Sequence, residues 1–324
     1  MKTDTPVTLP PDNYDRRRFI GSSDIAAIMG MAPRFADGSQ ETAVSVYERK
    51  IAEVPGEMEP KKKLFLERRK RWEPVVVQML REELDAEVVS TNLRYIDPDL
   101  PYFAAEIDFE WRDPDDGLIR SGEIKSVSPR AYSEKFGWGD PGTGDIPEHY
   151  ELQVQFAFGV RRLPSPTIVA AMVGLDDLLL YKIDRDDFVV AAAREAATKF
   201  WNENVLKHVP PEPTTVEDLA KLYPQAVGGL SVNASDDVGS KALQLRGIKA
   251  SMGALTAQAE ALEFDLKLAM KTAESITVDG RKLFSWKSEK WSRLNTEDLK
   301  KQEKEIYKRF LKTGTHRVLR QSYS

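Results

Sequence analysis

The stretch AAEIDFEWRDPDDGLIRSGEIKSV, residues 104–127, limits the fold of this chain more than any other segment. Two short apolar runs flank a turn of Asp113, Pro114, Asp115, Asp116 and Gly117, which is a hairpin signal. Asp108 lies in the first run, and Glu123 and Lys125 lie two residues apart in the second. Strand side chains alternate faces, so Glu123 and Lys125 point the same way, while Ile124 and Val127 are apolar as a buried strand requires. A carboxylate and an ammonium side by side on a core strand are costly to bury without partners. Asp108 from the neighbouring strand completes an acidic pocket suited to a hard, oxygen-loving cation. Lys125 is then placed to orient a water or neutralise a phosphate. A surface hairpin carrying a structural Glu–Lys pair is the competing reading of the same residues.

Composition narrows the chemistry. The chain has no Cys, which excludes disulfides, thiolate zinc sites and iron–sulfur clusters and suits a reducing cytosol. His149, His208 and His316 are the whole imidazole supply, too few for a His-rich metal site. With 324 residues, 41% hydrophobic and 31% charged, it reads as a soluble globular protein of one large domain or two ordinary ones. No apolar run of membrane-spanning length occurs, and the polar, proline-containing start is not a secretory signal. The net charge of −5 argues against a generally basic DNA-coating protein. Yet residues 281–324 carry 13 Lys and Arg against 5 Asp and Glu, a basic end on an acidic body that hints at an anionic partner.

Along the chain, residues 1–13 read as a loose tail. DRRRFIGSSDIAAIMG predicts a short helix capped by Ser22, Ser23 or Asp24, an anion site in combination with Arg16–Arg18 or simply ordinary capping. Residues 41–52 and 60–84 predict helices, with Pro74 forcing a kink or restart in the second. Glu73, beside Trp72, is unusual for a buried face without a function. Residues 137–142 fit G-x-G-x-x-G literally, but no strand precedes them and no helix opens on the last Gly, so a flexible loop is expected rather than a dinucleotide site. Residues 147–160 and 187–207 predict helices, and 166–173 and 178–183 predict strands. Prolines and glycines mark 209–240 as a linker interrupted by a short helix at 216–222. Leu245, Ile248, Met252, Leu255, Ala259, Leu262 and Leu266 alternate spacings of three and four, an a/d seam for self-association or for packing on the helix's own domain. Asp279-Gly280 predicts a tight hairpin, a helix capped by Asn295 or Thr296 follows, and THRVLRQSY predicts a final strand.

Taken in order, these pieces resemble the YqaJ-like viral recombinase and lambda exonuclease family of the PD-(D/E)xK nuclease superfamily. Arg16 followed by Ile20-Gly21-Ser22-Ser23-Asp24 is similar to the family opening R-x3-I-[GT]-[GA]-S-[DE]. Glu73 resembles the family's helix glutamate, Asp108 its first catalytic aspartate, and Glu123-Ile124-Lys125 its E-x-K. Tyr150-x-x-Gln153-Val154-Gln155 resembles its Y-x-x-Q-x-Q helix. The chain departs from the pattern at Glu67–Arg71, where Gly is common before the helix glutamate, and at Phe109, where Asp-Gly is common.

The resemblance implies an α/β (α+β) fold with a restriction-endonuclease-like core, a central mixed sheet flanked by helices. The exonuclease domain would span 14–208, with a helical and hairpin extension at 241–324 for DNA or oligomer contacts. It implies a Mg²⁺-dependent (or Mn²⁺-dependent) exonuclease acting 5′→3′ on linear double-stranded DNA. Asp108, Glu123 and the Ile124 carbonyl would hold the metal, with Glu73 on a second one. Lys125 would position the water and Gln153 would orient it or Lys125. Arg16 and Ser23 would hold a 5′-phosphate. A single-strand annealing partner, a ring trimer and the cytoplasm of a bacterial or phage-infected cell complete the expectation. A restriction-like or repair endonuclease, and a catalytically silent DNA-binding scaffold, are the alternatives.

Overall fold

The computed structural model describes residues 15–320 apart from 36–37, 55–58 and 175, together with the backbone of Val7–Thr8. The hairpin forms as read. Strand β4 (Phe103–Arg112) pairs antiparallel with β5 (Ile119–Val127) from Arg112↔Ile119 to Phe109↔Gly122. Arg120 braces the turn by reaching Asp113 and Asp116 at 2.8 and 2.6 Å. β5 then runs parallel to β6 (Thr167–Val173), the connection passing through α5 (Glu148–Arg161), as parallel pairing requires a crossover. All seven residues of β6 are buried, which is why TIVAAMV is apolar throughout. Antiparallel β7 (Asp177–Ile183) closes this side.

The other side of the sheet was not legible beforehand. β3 (Glu87–Ile96) pairs antiparallel with β4, and β1 (Val7–Thr8) pairs with β3. The tail expected at 1–13 otherwise lies outside the described residues. A two-residue strand, β2 (Ile20–Gly21), lies parallel to β4 at Phe103 and Ala104. The result is one seven-stranded mixed sheet flanked by helices.

Helix α1 (Ile25–Ile28) is a single turn, preceded by a tight helical turn at Ser22–Asp24. α2 (Ala43–Ile51) is capped by Thr42. The 60–84 segment restarts at the proline, giving α3 (Pro60–Lys70) and α4 (Glu73–Leu84). Pro74 sits in the first turn of α4, where its missing N–H leaves no helical bond unmade. α6 (Asp187–Lys199) is capped by Asp186 and continues into a wider helical turn at Phe200–Val205. Gln155 ties α5 to the β7–α6 connection, donating to the Asp184 carbonyl at 2.8 Å and accepting from the Asp186 N–H at 2.9 Å. α7 (Val216–Leu222) closes this unit through buried Asp218, which accepts from the Thr42 hydroxyl at 2.7 Å.

Residues 137–142 are anchored rather than loose. Trp138 is buried in an apolar cluster with Tyr181, Ile146 and Val169, and the Tyr181 hydroxyl donates to the Gly139 carbonyl at 3.1 Å. Burial of one large aromatic outweighs the local glycine content.

The chain divides into two units, Met1–Leu222 and Tyr223–Ser324. The second holds α8 (Asp236–Met270), the hairpin of β8 (Ser275–Val278) and β9 (Arg281–Ser285), α9 (Thr296–Gln302) and α10 (Lys304–Phe310). Asp279 and Gly280 both take positive φ, 49° and 75°, as the two-residue turn requires. Within this unit the α8 seam has no partner: six of its seven residues are exposed and Leu266 is partly so. Over the described residues the expected final strand is absent, 311–320 lacking regular structure. Among the described residues the β8–β9 hairpin remains a two-stranded sheet with no third strand added.

Gly122 fixes the core beneath the hairpin. A Cβ there would lie 2.0 Å from the Phe109 ring, which fills the space over the glycine. Gly122→Ala is therefore expected to cost about 1–3 kcal/mol of stability through overpacking. Urea unfolding checks this, and an unchanged midpoint would contradict the packing described.

Candidate active site

The site lies where the β4–β5 ladder ends. Pairing stops at Phe109↔Gly122, and the next stretch of β4, at Phe103 and Ala104, takes β2 as a neighbour. In the gap the Asp108 carboxylate replaces a backbone acceptor, its Oδ2 receiving the Ile124 N–H at 2.7 Å. The N–H and C=O of one strand residue face the same edge, so the Ile124 carbonyl faces this fork as well. Burial, and then the Glu123 charge, push the Asp108 carboxyl well above the ordinary aspartate range.

Opposite it, Glu123, Lys125 and Gln153 form a closed hydrogen-bonded triangle. Lys125 Nζ donates to Glu123 Oε1 at 2.6 Å and to Gln153 Oε1 at 2.8 Å, and Gln153 Nε2 donates to Glu123 Oε1 at 2.7 Å. The Tyr150 ring lies under the ammonium at 4.7 Å from its centroid. Burial works against the Lys125 charge, but Glu123 and Asp108 outweigh it and raise its pKa, so the ammonium stays charged.

A third group enters from the chain before α1. Arg16 Nη2 donates to Ser23 Oγ at 2.7 Å, leaving the Ser23 hydroxyl proton for another acceptor. Both residues line one pocket with Gly21, Ser22, Glu106, Asp108, Glu123 and Gln153. Beneath them Asp24, 2% exposed, accepts from Lys50 Nζ at 2.6 Å, from Arg49 at 3.1 Å and from the Gly21 N–H at 3.1 Å. Burial alone would raise the Asp24 pKa, but Lys50, Arg16 and Arg49 outweigh it and hold it below 3.8. Since α1 is one turn and the Gly21 N–H is taken by Asp24, an anion entering here would meet Arg16 and Ser23 rather than helix N–H groups.

The donor set fits a divalent cation. Asp108 and Glu123 are held close enough to raise the Asp108 pKa, and Lys125 alone does not offset both. Two carboxylates with a carbonyl are hard oxygen ligands of the kind Mg²⁺ takes, with waters completing its shell. Among the described residues no three His, Cys, Asp or Glu side chains converge as a metal-ligand group; a cation at the fork would take Asp108, Glu123 and the Ile124 carbonyl from the protein. Glu73 opens α4 outside the pocket lining, near enough to feel Glu106 and Glu123, and burial raises its pKa.

A family model, the YqaJ-like viral recombinase domain, matches residues 13–162. This part of the chain is similar to that domain. The chain is 30% identical over 199 residues to the uncharacterized protein YqaJ of Bacillus subtilis (strain 168), a match covering 60% of each. The chain thus spans about three fifths of that relative's length. Two solved structures are also similar. The alkaline exonuclease LHK-Exo from Laribacter hongkongensis is 16% identical with a TM-score of 0.45, over 60% of this chain and 91% of that one. A phage-related exonuclease from Haemophilus somnus 129PT is 12% identical with a TM-score of 0.38, over 59% of this chain and 96% of that one.

The first unit brings Asp108, Glu123, Lys125, Gln153, Arg16 and Ser23 into one neighbourhood, with Glu73 at its margin. Sequence reasoning missed Glu106, which lines the pocket and is held by Arg94 at 3.1 Å. Its signal was available, since it stands two before Asp108 and so shares that strand face. His149, read from the sequence only as part of the imidazole supply, packs against Tyr150 with 4.0 Å between ring centroids; burial and the Lys125 charge lower its pKa to about 4, keeping the imidazole neutral.

Asp24→Asn leaves Lys50 buried without its carboxylate and is expected to cost the first unit about 3–5 kcal/mol near neutral pH. The folded pKa of Asp24 lies below its unfolded value. Its contribution is therefore complete above 3.8 and is lost as pH falls through the depressed value. Denaturant titrations over a pH series should show a gap between wild type and variant that is constant near neutrality and narrows in acid. A gap indifferent to acid would contradict the assignment.

Proposed function

We propose that this chain is a divalent-cation-dependent exonuclease, using Mg²⁺ or Mn²⁺. It digests linear double-stranded DNA 5′→3′ and leaves 3′ single-stranded overhangs for recombination of the phage type. The observation that carries this reading is the fork, where Asp108 and Glu123 converge beside a Lys125 fixed by Gln153.

Asp108, Glu123 and the Ile124 carbonyl would hold the cation, which when bound would supply Lewis acidity at the scissile phosphate and toward the attacking water. Lys125, charged and held in one position, orients the attacking water and offsets the negative charge that grows on the phosphoryl oxygens. Gln153 bonds both Lys125 and Glu123, so it keeps the spacing of the cationic group and the metal ligand constant. Arg16 and Ser23 take the terminal 5′-phosphate, which carries more charge and more free acceptor oxygens than an internal diester. Recognition of that end supports exonuclease over endonuclease action. The basic end of the chain supports DNA contact, and the uncovered α8 seam supports self-association. A single-strand annealing protein fits as the partner that receives the overhang. Among the described residues no helix is long and apolar enough to cross a membrane, in keeping with work on cytoplasmic DNA.

The test is digestion of linear plasmid labelled at either end, beside an intact circle, in Mg²⁺ and in EDTA. Wild type should release the 5′ label first, spare the circle and stop in EDTA. Asp108→Ala and Glu123→Ala should each lose about 10²–10⁴ in rate while still binding DNA, because remote phosphate contacts dominate affinity. Cutting of the circle, or full activity in either variant or in EDTA, would overturn the proposal.

A further inference from the structure

Helix α3 has no side turned toward a core. Every described side chain over 60–72 is exposed, Leu64, Phe65, Leu66 and Trp72 among them, with Phe65 at 52% and Trp72 at 43%. The same stretch carries seven Lys and Arg against one Glu, in a chain whose net charge is −5. Elsewhere in this unit Arg49, Lys50 and Arg94 are each paired with a carboxylate. Among the described residues no carboxylate comes within ion-pair distance of Lys61, Lys63, Arg68, Arg69, Lys70 or Arg71. Solvation accounts for bare cations on a surface helix, but not for large apolar rings set among them.

The rings and cations share a side of the helix. Lys61, Phe65, Arg68 and Trp72 follow one another at intervals of four, three and four residues, which aligns them in one stripe. Arg71 and Trp72 keep right-handed helical backbone angles past the end of α3, so the stripe runs without a break to Glu73 and α4. Phe65 and Trp72 are thereby about 10 Å apart along the axis. The Arg69 guanidinium lies over the Phe65 ring, 4.4 Å from its centroid, so that ring already presents a face to a planar group. At the far end Glu73 is near enough to feel Lys70, Glu106 and Glu123, which puts the stripe at the edge of the fork.

Alternating cations and aromatic rings fit a polyanion whose flat bases are free. Single-stranded DNA is such a ligand, its phosphates pairing with the cations and its bases stacking on the rings whatever their sequence. A duplex would satisfy the cations and leave the rings idle, because its base faces are already stacked inside the helix. We propose that the 61–72 stripe binds the single strand that digestion leaves behind. Bases stack on Phe65 and Trp72, phosphates pair with Lys61 and Arg68, and the uncut strand is drawn away from the fork. This rests on the reading of the chain as a nuclease that leaves an overhang.

The experiment measures fluorescence anisotropy of a labelled oligothymidylate and of a labelled blunt duplex, both with 5′-hydroxyl ends, in EDTA. Neither cleavage nor the 5′-phosphate pocket then enters the reading. Full-length wild type is set beside Phe65→Ala, Trp72→Ala, Trp72→Phe and Arg68→Gln, all of which should unfold at the wild-type temperature because the side chains are exposed. Phe65→Ala and Trp72→Ala should each lose about five- to a hundredfold in affinity for the single strand, the worth of one stacked base, and change little on the duplex. Trp72→Phe keeps a ring and should retain most of the affinity. Arg68→Gln should flatten the salt dependence of single-strand binding by about 0.7 in log–log slope, one phosphate contact. Equal losses on single strand and duplex would mark a general basic face and overturn the proposal. Wild-type binding by both alanine variants would overturn it too, and would leave the stripe to another partner such as an acidic protein surface. If the alanine variants lose the single strand while wild type digests no linear DNA in Mg²⁺, the stripe stands and the nuclease reading falls.

Discussion

One hydrogen bond organises the rest: Asp108 Oδ2 takes the Ile124 N–H at the point where β4 and β5 part. A backbone donor in the middle of a sheet must be satisfied, and here a side chain does it. The substitution lets the strands diverge without an orphaned amide, and it fixes an anionic oxygen in the opening. Phe109, packed over Gly122, holds the last paired rung in place. The separation of the strands also frees the near edge of β4 for β2, which carries Gly21 and the serines that follow into the pocket wall.

Charge is distributed so that each buried group depends on another. Glu123 is bound by Lys125 and Gln153, whereas Asp108 has a backbone amide and a cationic neighbour insufficient for both carboxylates. Burial of such a pair is unfavourable for the protein alone and favourable with a divalent cation, which is the electrostatic reason to regard the fork as a metal site. Asp24 serves a different end. Surrounded by Lys50, Arg49 and Arg16, it stays ionised and holds the segment that presents Arg16 and Ser23.

The chemical centre was legible in the sequence because strand alternation is strict: once the turn at Asp113–Gly117 was placed, Glu123 and Lys125 had to share a face. The restart at Pro74, the helix carrying Gln153 and the Asp279-Gly280 turn followed from equally local rules. What stayed hidden depended on distant partners. β2 is too short to carry a pattern, and Lys50 gives no local sign that it will bond Asp24, 26 positions earlier. The loop at 137–142 misled because its glycines are local, while the burial of Trp138 is tertiary. The strand expected at the chain's end had suitable residues, but over 311–320 it joins no sheet, the β8–β9 hairpin included.

The central claim is that Asp108 and Glu123 together hold one divalent cation at the fork. Electron paramagnetic resonance of Mn²⁺ titrated into the full-length protein without DNA reads this directly, because bound and free ion give different spectra. Wild type should remove free Mn²⁺ signal with a saturable stoichiometry, Mg²⁺ should compete, and Glu123→Ala and Asp108→Ala should each abolish the high-affinity step. Equal Mn²⁺ binding by wild type and both variants would place the cation elsewhere and contradict the account.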